Sequence, residues 1–211
     1  MAYMTVGLID YGRGNLHSVD KALSRVGCRV ERIRKAAEFK AAEAIVLPGV
    51  GAFGDAMNAL DRMDLRGPLI DWLQSGRPFL GICLGYQLLF ATSEESPGVA
   101  GLGWLPGRVV LFPDSVGKIP HMGWNTVSFR PESGLAPESG GDYFYHVHSY
   151  YPEGVPDEFT ACTTNYGGVT FASGIRRGAV AGFQFHPEKS QAAGLGLLRR
   201  YFDSVGAPAG V

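Results

Sequence analysis

Phe79-Leu80-Gly81-Ile82-Cys83-Leu84-Gly85-Tyr86-Gln87 joins a short apolar run to a segment of helical character that continues to Ala91. An apolar run of this length bounded by glycine reads as a buried strand, and glycines on both sides of Cys83 suit a sharp strand-to-helix turn. The layout is that of a nucleophile elbow with sulfur in place of the serine oxygen. The helix expected after it would aim its N-terminal dipole at the sulfur and favour thiolate, the form that attacks carbonyl carbon. A cysteine alone would read as a buried core residue. The flanking glycines and the junction position turn the reading toward catalysis.

Outward from the elbow, the same alternation recurs. Thr5 to Asp10 is an apolar run that stops at Tyr11-Gly12, and Asn15 to Val26 follows with Leu16, Val19, Leu23 and Val26 at helical spacing. Cys28 to Ile33 alternates like a strand, Ala44 to Leu47 is a buried-type run before Pro48, and Leu65 to Leu73 reads as helix. Strands alternating with helices predict an α/β domain with a mixed, mostly parallel central sheet, helices on both faces and ligands at the strands' carboxyl ends. Beyond it, 107–112, 143–151, 159–165, 169–175 and 179–185 are strand-like and separated by Gly, Pro and Asp, so antiparallel strands are expected at one side of the sheet. Ser190 is placed to cap a last helix through Val205. The expected organisation is one domain over residues 1–205 and a short tail of small residues and proline over 206–211.

The bulk properties narrow the function. At 211 residues, 45% hydrophobic and 18% charged, the chain can bury a full core, and a net charge of -1 gives no reason to expect nucleic acid or an anionic membrane as partner. Cys28, Cys83 and Cys162 are an odd number without CxxC spacing, which fits neither a disulfide framework nor a zinc site and suits a reducing cytoplasm. The apolar segment Thr5 to Ile9 is too short for a signal or membrane-spanning segment.

A thiol nucleophile needs a base. Phe183-Gln184-Phe185-His186-Pro187-Glu188 supplies His186 where a hydrophobic strand runs out, and Glu188 two residues later can accept the second imidazole N–H. An isolated His-Pro-Glu would be read as a strand end and a solvated acid; the elbow gives the pair its meaning. Pro48-Gly49-Val50-Gly51-Ala52-Phe53-Gly54, after the Ile45 to Leu47 run, can turn backbone N–H groups toward a developing oxyanion. No Lys-Ser/Thr pair follows these glycines, so it is not a phosphate loop, and Gly12-Arg13-Gly14 has His17 where a dinucleotide fingerprint needs its third glycine. Among the five histidines only His146 and His148 are closely spaced, on one face of a strand, and no metal site or cofactor is expected.

These residues together resemble the triad-type, class I glutamine amidotransferases, whose Gly-x-Cys-x-Gly-x-Gln elbow stands here as Gly81 to Gln87 and whose His-Pro-Glu motif is His186 to Glu188. Both motifs specify only the superfamily, which includes subunits for anthranilate, guanylate, carbamoyl phosphate and pyridoxal phosphate synthesis. Asp10 to Leu16, Pro48 to Phe53, Pro120-His121-Met122-Gly123-Trp124-Asn125 and His186 to Ser190 resemble the branch that serves imidazole glycerol phosphate synthase, and together they span nearly the whole chain. The resemblance implies a flavodoxin-like fold and a Cys83, His186, Glu188 triad that hydrolyses L-glutamine. It implies ammonia delivery to a (β/α)₈-barrel synthase (cyclase) partner in a heterodimer of histidine biosynthesis. It further implies an oxyanion loop at Gly49, Val50 and Gly51, and binding of the glutamine amino-acid end by Gln87 and the backbone of Ser149 and Tyr150. Asn15, Trp124, Tyr145 and Lys189 match partner-facing positions near an ammonia exit. His146 stands where the family often has phenylalanine, and so departs from the pattern.

Overall fold

The apolar runs before the elbow lie side by side in a computed structural model that describes residues 4–137 and 142–206. In chain order the elements are β1 (Thr5–Ile9), α1 (Leu16–Arg25), β2 (Arg29–Ile33), β3 (Ala44–Gly49), α2 (Phe53–Arg62), α3 (Arg66–Gln74), β4 (Phe79–Cys83) and the single turn α4 (Leu84–Gln87). There follow β5 (Arg108–Leu111), β6 (His121–Phe129), β7 (Asp142–His148), β8 (Tyr150–Glu153), β9 (Thr160–Tyr166), β10 (Val169–Arg177), β11 (Val180–Phe183) and α5 (Gln191–Gly206). The main sheet has the order β2-β1-β3-β4-β11-β10-β9-β6-β7. β2, β1, β3, β4 and β11 run parallel, and the remaining pairs are antiparallel. β5 and β8 form a separate two-stranded ribbon.

Strand periodicity distributes the core over both faces. On β3, Ile45 and Leu47 pack with Phe53, Met57 and Leu60 of α2 and Leu69 and Trp72 of α3. Ala44 and Val46 point the other way, to Val19 and Leu23 of α1 and Leu197, Leu198 and Tyr201 of α5. Each of these large apolar side chains is nearly or fully buried, worth about 1.5–3 kcal/mol apiece before the entropy of ordering is set against it. The chain is thus a single α/β domain of the expected kind, and β1, β3, β4 and β11 all end at one edge of the sheet.

Six local readings change. α2 was not anticipated: the glycine-rich run from Pro48 overshadowed Phe53, Ala56, Met57 and Leu60, which stand at helical spacing and are all buried. The segment 143–151 is not one strand but breaks at Ser149, β7 joining the main sheet and β8 the ribbon. β6 was missed because it lies next to the sheet edge with mixed burial and carries Gly123, Asn125 and Thr126. The helix after the elbow is one turn, not a run to Ala91, because the amides of Leu89 and Phe90 bond three residues back. A single turn carries little macrodipole, so the helix expected to act on the sulfur contributes little. Ser190 precedes α5, and its carbonyl accepts from Gly194 N–H, but its hydroxyl accepts from Tyr145 N–H at 3.0 Å and donates to the His186 carbonyl at 2.6 Å. Of the expected tail, Gly206 closes α5 and 207–211 lie outside the described residues.

Candidate active site

Cys83 ends β4 with φ 54° and ψ -108°, a left-handed conformation that a non-glycine residue adopts only when its surroundings hold it there. Those surroundings are close-packed backbone. A Cβ on Gly85 would lie 1.8 Å from the Leu47 carbonyl oxygen, and one on Gly81 would lie 2.7 Å from that of Gly85. The elbow therefore fits against β3 only because neither position has a side chain. In the β3–β4 register Gly49 stands beside Cys83, which sets the 49–51 loop next to the sulfur. Tyr11, at the end of β1, donates its buried hydroxyl to the Pro48 carbonyl at 3.1 Å and steadies the approach to that loop.

His186 follows β11 at the same edge. Its backbone N–H bonds the Tyr145 carbonyl at 2.9 Å, and the Ser190 hydroxyl holds its carbonyl, so β7 and the start of α5 fix the residue from two sides. Its Nδ1 donates to Glu188 Oε1 at 2.8 Å, and both side chains are almost completely buried. Nδ1 is thereby the protonated nitrogen and Nε2 is left facing the cavity side of the ring. Nε2 makes no hydrogen bond in the structure, although Cys83 is near enough to act on it electrostatically. Burial draws the imidazole pKa down, but the Cys83 sulfur and Glu188 outweigh it and push it up to about 10. His186 thus stands next to the sulfur with its ring held by Glu188, placed to exchange a proton with Cys83.

Cys83, His186, Val50, Gly51, Gln87, Ser149 and Tyr150 line one cavity of about 590 Å³, together with Glu95, Pro120, Val147 and His148. Gln87 Nε2 donates to the Tyr150 carbonyl and to Gln184 Oε1, each at 3.0 Å, so Gln87 positions the 149–150 backbone as well as forming wall. Gln184 was not singled out from the sequence. It is fully buried between two phenylalanines, and its Nε2 lies 3.9 Å from Cys83 Sγ. An amide between Phe183 and Phe185 on an inward strand was the available signal, since such a group must find polar partners.

Trp124, Tyr145 and Lys189 come together beside His186. The Trp124 and Tyr145 rings meet edge-on at 6.2 Å, Lys189 Nζ lies 5.7 Å from the Tyr145 ring centre, and that ring is 6.5 Å from His186. Trp124 is 47% exposed and Met122 63%, an apolar surface at the mouth of this group. Asn15 instead caps α1, accepting from Ser18 N–H, and α1 packs against the Pro187–Lys189 turn.

A cluster the sequence did not disclose lies behind the cavity wall. β6–β7 pairing sets His121 opposite His148, so a third histidine joins His146 and His148 from a separate strand. His148 Nδ1 donates to the Tyr150 carbonyl at 2.8 Å; its Nε2 then accepts from His121 Nδ1 at 3.1 Å, and Asn125 Nδ2 donates to His121 Nε2 at 3.2 Å. Burial holds the pKa of His121 near about 4 and that of His148 near about 3. His146 is fully buried, its pKa pushed down by burial and then by its histidine neighbours, and neither of its ring nitrogens has a hydrogen-bond partner.

An elbow cysteine, an imidazole and a buried carboxylate round a small-molecule cavity on this sheet define a class, and the chain belongs to the glutamine amidotransferase class-I family, which it matches over residues 7–203. Within the class it is similar to the imidazole glycerol phosphate synthase subunit HisH of Desulfitobacterium hafniense (strain DSM 10664 / DCB-2), 50% identical over 200 residues, covering 93% of this chain and 92% of that protein. The HisH subunits of Moorella thermoacetica and Bacillus subtilis are 49% and 45% identical, covering 95% and 93% of this chain and 95% and 94% of their own lengths. Solved structures described as a glutamine amidotransferase and as PurLQS from Thermotoga maritima share the fold with TM-scores of 0.76 and 0.75. Each is 19% identical; they cover 95% and 97% of this chain, and in both cases 98% of their own.

Proposed function

We propose that this chain hydrolyses L-glutamine to glutamate and ammonia, and passes the ammonia to a (β/α)₈-barrel synthase subunit that makes imidazole glycerol phosphate and aminoimidazole carboxamide ribotide in histidine biosynthesis. The observation that carries the reading is Cys83 held at φ 54° in a cavity shared with His186, whose Nδ1 is bound by buried Glu188. The Cys83 thiol passes its proton to His186 Nε2 as the sulfur attacks the side-chain carboxamide carbon, and N–H groups of the Gly49-Val50-Gly51 loop receive the negative oxygen. As the tetrahedral centre collapses, the C–N bond breaks and His186 gives its Nε2 proton to the departing ammonia. His186 then takes a proton from water, the hydroxide cleaves the thioester, and glutamate leaves with the thiol restored. Glu188 keeps the ring in the tautomer both steps need. Gln87 and the Ser149–Tyr150 backbone hold the amino-acid end. No cofactor is required by these steps.

Trp124, Tyr145 and Lys189, beside His186, together with Asn15 form the face toward the barrel, where ammonia leaves sequestered from water. HisH-like segments across the chain favour this partner over those of other class I subunits. The three free cysteines suit a cytoplasmic location, and among the described residues no helix is long and apolar enough to cross a membrane. Val50 is 40% exposed between two glycines, so its peptide can turn between orientations of which one presents an N–H to the oxyanion. A missing oxyanion donor costs about a hundred- to thousandfold in turnover, so a partner that favours one orientation can raise glutaminase activity by that order. Turnover is measured for the chain alone, with the synthase, and with synthase plus a nucleotide substrate analogue. It should rise at each step; equal rates throughout would leave the loop as a rigid turn, and no glutaminase activity in any of them would overturn the function.

A further inference from the structure

We propose that His121, His146 and His148 form a binding site for one divalent transition-metal ion, of which zinc is the expected occupant, between β6 and β7 behind the glutamine cavity. Each of the three rings offers a nitrogen within 4.8 Å of the other two, and all three side chains are buried. The near pair already has the right spacing. His121 Nδ1 and His148 Nε2 are 3.1 Å apart, close to the separation of about 3.3 Å that two zinc–nitrogen bonds of about 2.0–2.1 Å subtend at a tetrahedral angle. The third ligand is the second, independent sign. His146 is fully buried and both its ring nitrogens are without hydrogen-bond partners, where a phenylalanine would have filled the space without that cost.

The ligand chemistry is consistent. An all-imidazole set without carboxylate or carbonyl oxygen selects zinc, copper, nickel or cobalt over magnesium or calcium. His148 also has an outer partner of the kind that metal-bound histidines use, since its Nδ1 donates to the Tyr150 carbonyl. Coordination moves the His121 proton from Nδ1 to Nε2, where Asn125 must turn its amide to accept it and give up its bonds to the Asn165 carbonyl and the Thr126 N–H, so no net proton is released. His146 stacks on His121 with ring centres 4.4 Å apart and must turn its ring toward the ion, which no hydrogen bond resists. An ion can enter from the glutamine cavity, because His148 forms part of its wall. His148 and Gln87 share the Tyr150 carbonyl as acceptor, so an occupied site would brace the backbone against which glutamine is proposed to lie.

The test uses the full untagged chain, stripped with chelator and titrated with cobalt(II) and then zinc(II). One equivalent of cobalt should give the visible absorption of a tetrahedral site and zinc should displace it; zinc should also raise the melting temperature. His146→Phe removes a ligand, and even loss of an outer-shell partner costs about 10- to 100-fold in metal affinity, so its affinity should fall by at least about a hundredfold. Cys83→Ala should bind as the parent does. Zinc-edge X-ray absorption of the loaded parent protein requires no variant to fold, and should show nitrogen ligands without sulfur. Absence of saturable binding, unchanged binding in His146→Phe, loss of binding in Cys83→Ala, or a zinc–sulfur signal would each overturn the site. Glutaminase activity is not the readout, so failure here leaves the proposed function standing.

Discussion

Gly85→Ala should cripple both the fold and the chemistry. The new Cβ would lie 1.8 Å from the Leu47 carbonyl oxygen and 2.8 Å from its carbon, whereas real Cβ atoms essentially never come within 3.0 Å of a heavy atom. The obstacle is backbone. Leu47 is in the middle of β3, paired with Gly81 of β4, and β3 is held on its other side by β1, so its carbonyl cannot retreat without opening a ladder. Moving Gly85 instead unwinds the turn that holds Cys83 at φ 54°. Ordinary overpacking costs about 1–3 kcal/mol, and a clash with fixed backbone belongs above that range, at about 4 kcal/mol or more. For a chain of this size each kcal/mol shifts the melting temperature by about 2–4 °C, so a fall of at least about 8 °C is expected by calorimetry. Gly67→Ala is the control, because Gly67 lies in α3 with nothing within 4 Å of its added Cβ; its melting temperature should stay level or rise slightly. Folded Gly85→Ala should also have lost glutaminase activity. A Gly85→Ala protein that melts and turns over like the parent would refute the elbow argument.

Two further outcomes follow from the site. A glutamine-analogue electrophile should add its mass at Cys83 and not at Cys28 or Cys162, whose thiols burial pushes up to about 12 and so keeps protonated; peptide mass spectrometry decides it, and modification at either of the latter would contradict the assignment. Glu188→Gln should lose less activity than His186→Ala, because an amide can still hold the ring, though in a poorer tautomer, and the loss from such a change can reach about 10⁴-fold. Parent-like activity in Glu188→Gln would reduce Glu188 to a structural acid. The same variant has a pH signature in thermal melts. The His186 pKa is raised from 6.5 to about 10, so the stability it contributes is fully present below 6.5 and lost as pH rises through about 10. The stability gap between parent and Glu188→Gln should therefore be widest just below pH 6.5 and shrink as pH rises toward about 10; a gap that grows over that range would show the linkage reversed.

The parallel half of the sheet was legible because its strands are buried on both faces: Thr5–Ile9, Ala44–Leu47 and Phe79–Cys83 appear as apolar runs that need no partner to be recognised. β6 was not, since Gly123 and Asn125 interrupt its inward face and Thr126 and Ser128 stand on its outward one, leaving no such run. The break of β7 from β8 at Ser149 is set by which sheet each half joins, and pairing partners are not local information. In the site, Cys83, His186 and Glu188 could be found because glycines and a proline mark their backbone. Gln184 is marked only as an amide between two phenylalanines; its partners are set when β11 lies beside β4 and puts that amide near Sγ and Gln87. His121 likewise meets His148 only through the β6–β7 register, across 27 residues of chain.

If Cys83 releases ammonia from glutamine for use by a partner, free ammonium should make Cys83 dispensable. Imidazole glycerol phosphate formation is followed for complexes of the barrel synthase with the parent chain and with Cys83→Ala, with glutamine or with an ammonium salt as nitrogen donor. The parent complex should use either donor, and the Cys83→Ala complex should use ammonium while failing with glutamine. Glutamine-driven product from the Cys83→Ala complex, or none from the parent complex, would show that Cys83 is not the source of the ammonia the synthase uses.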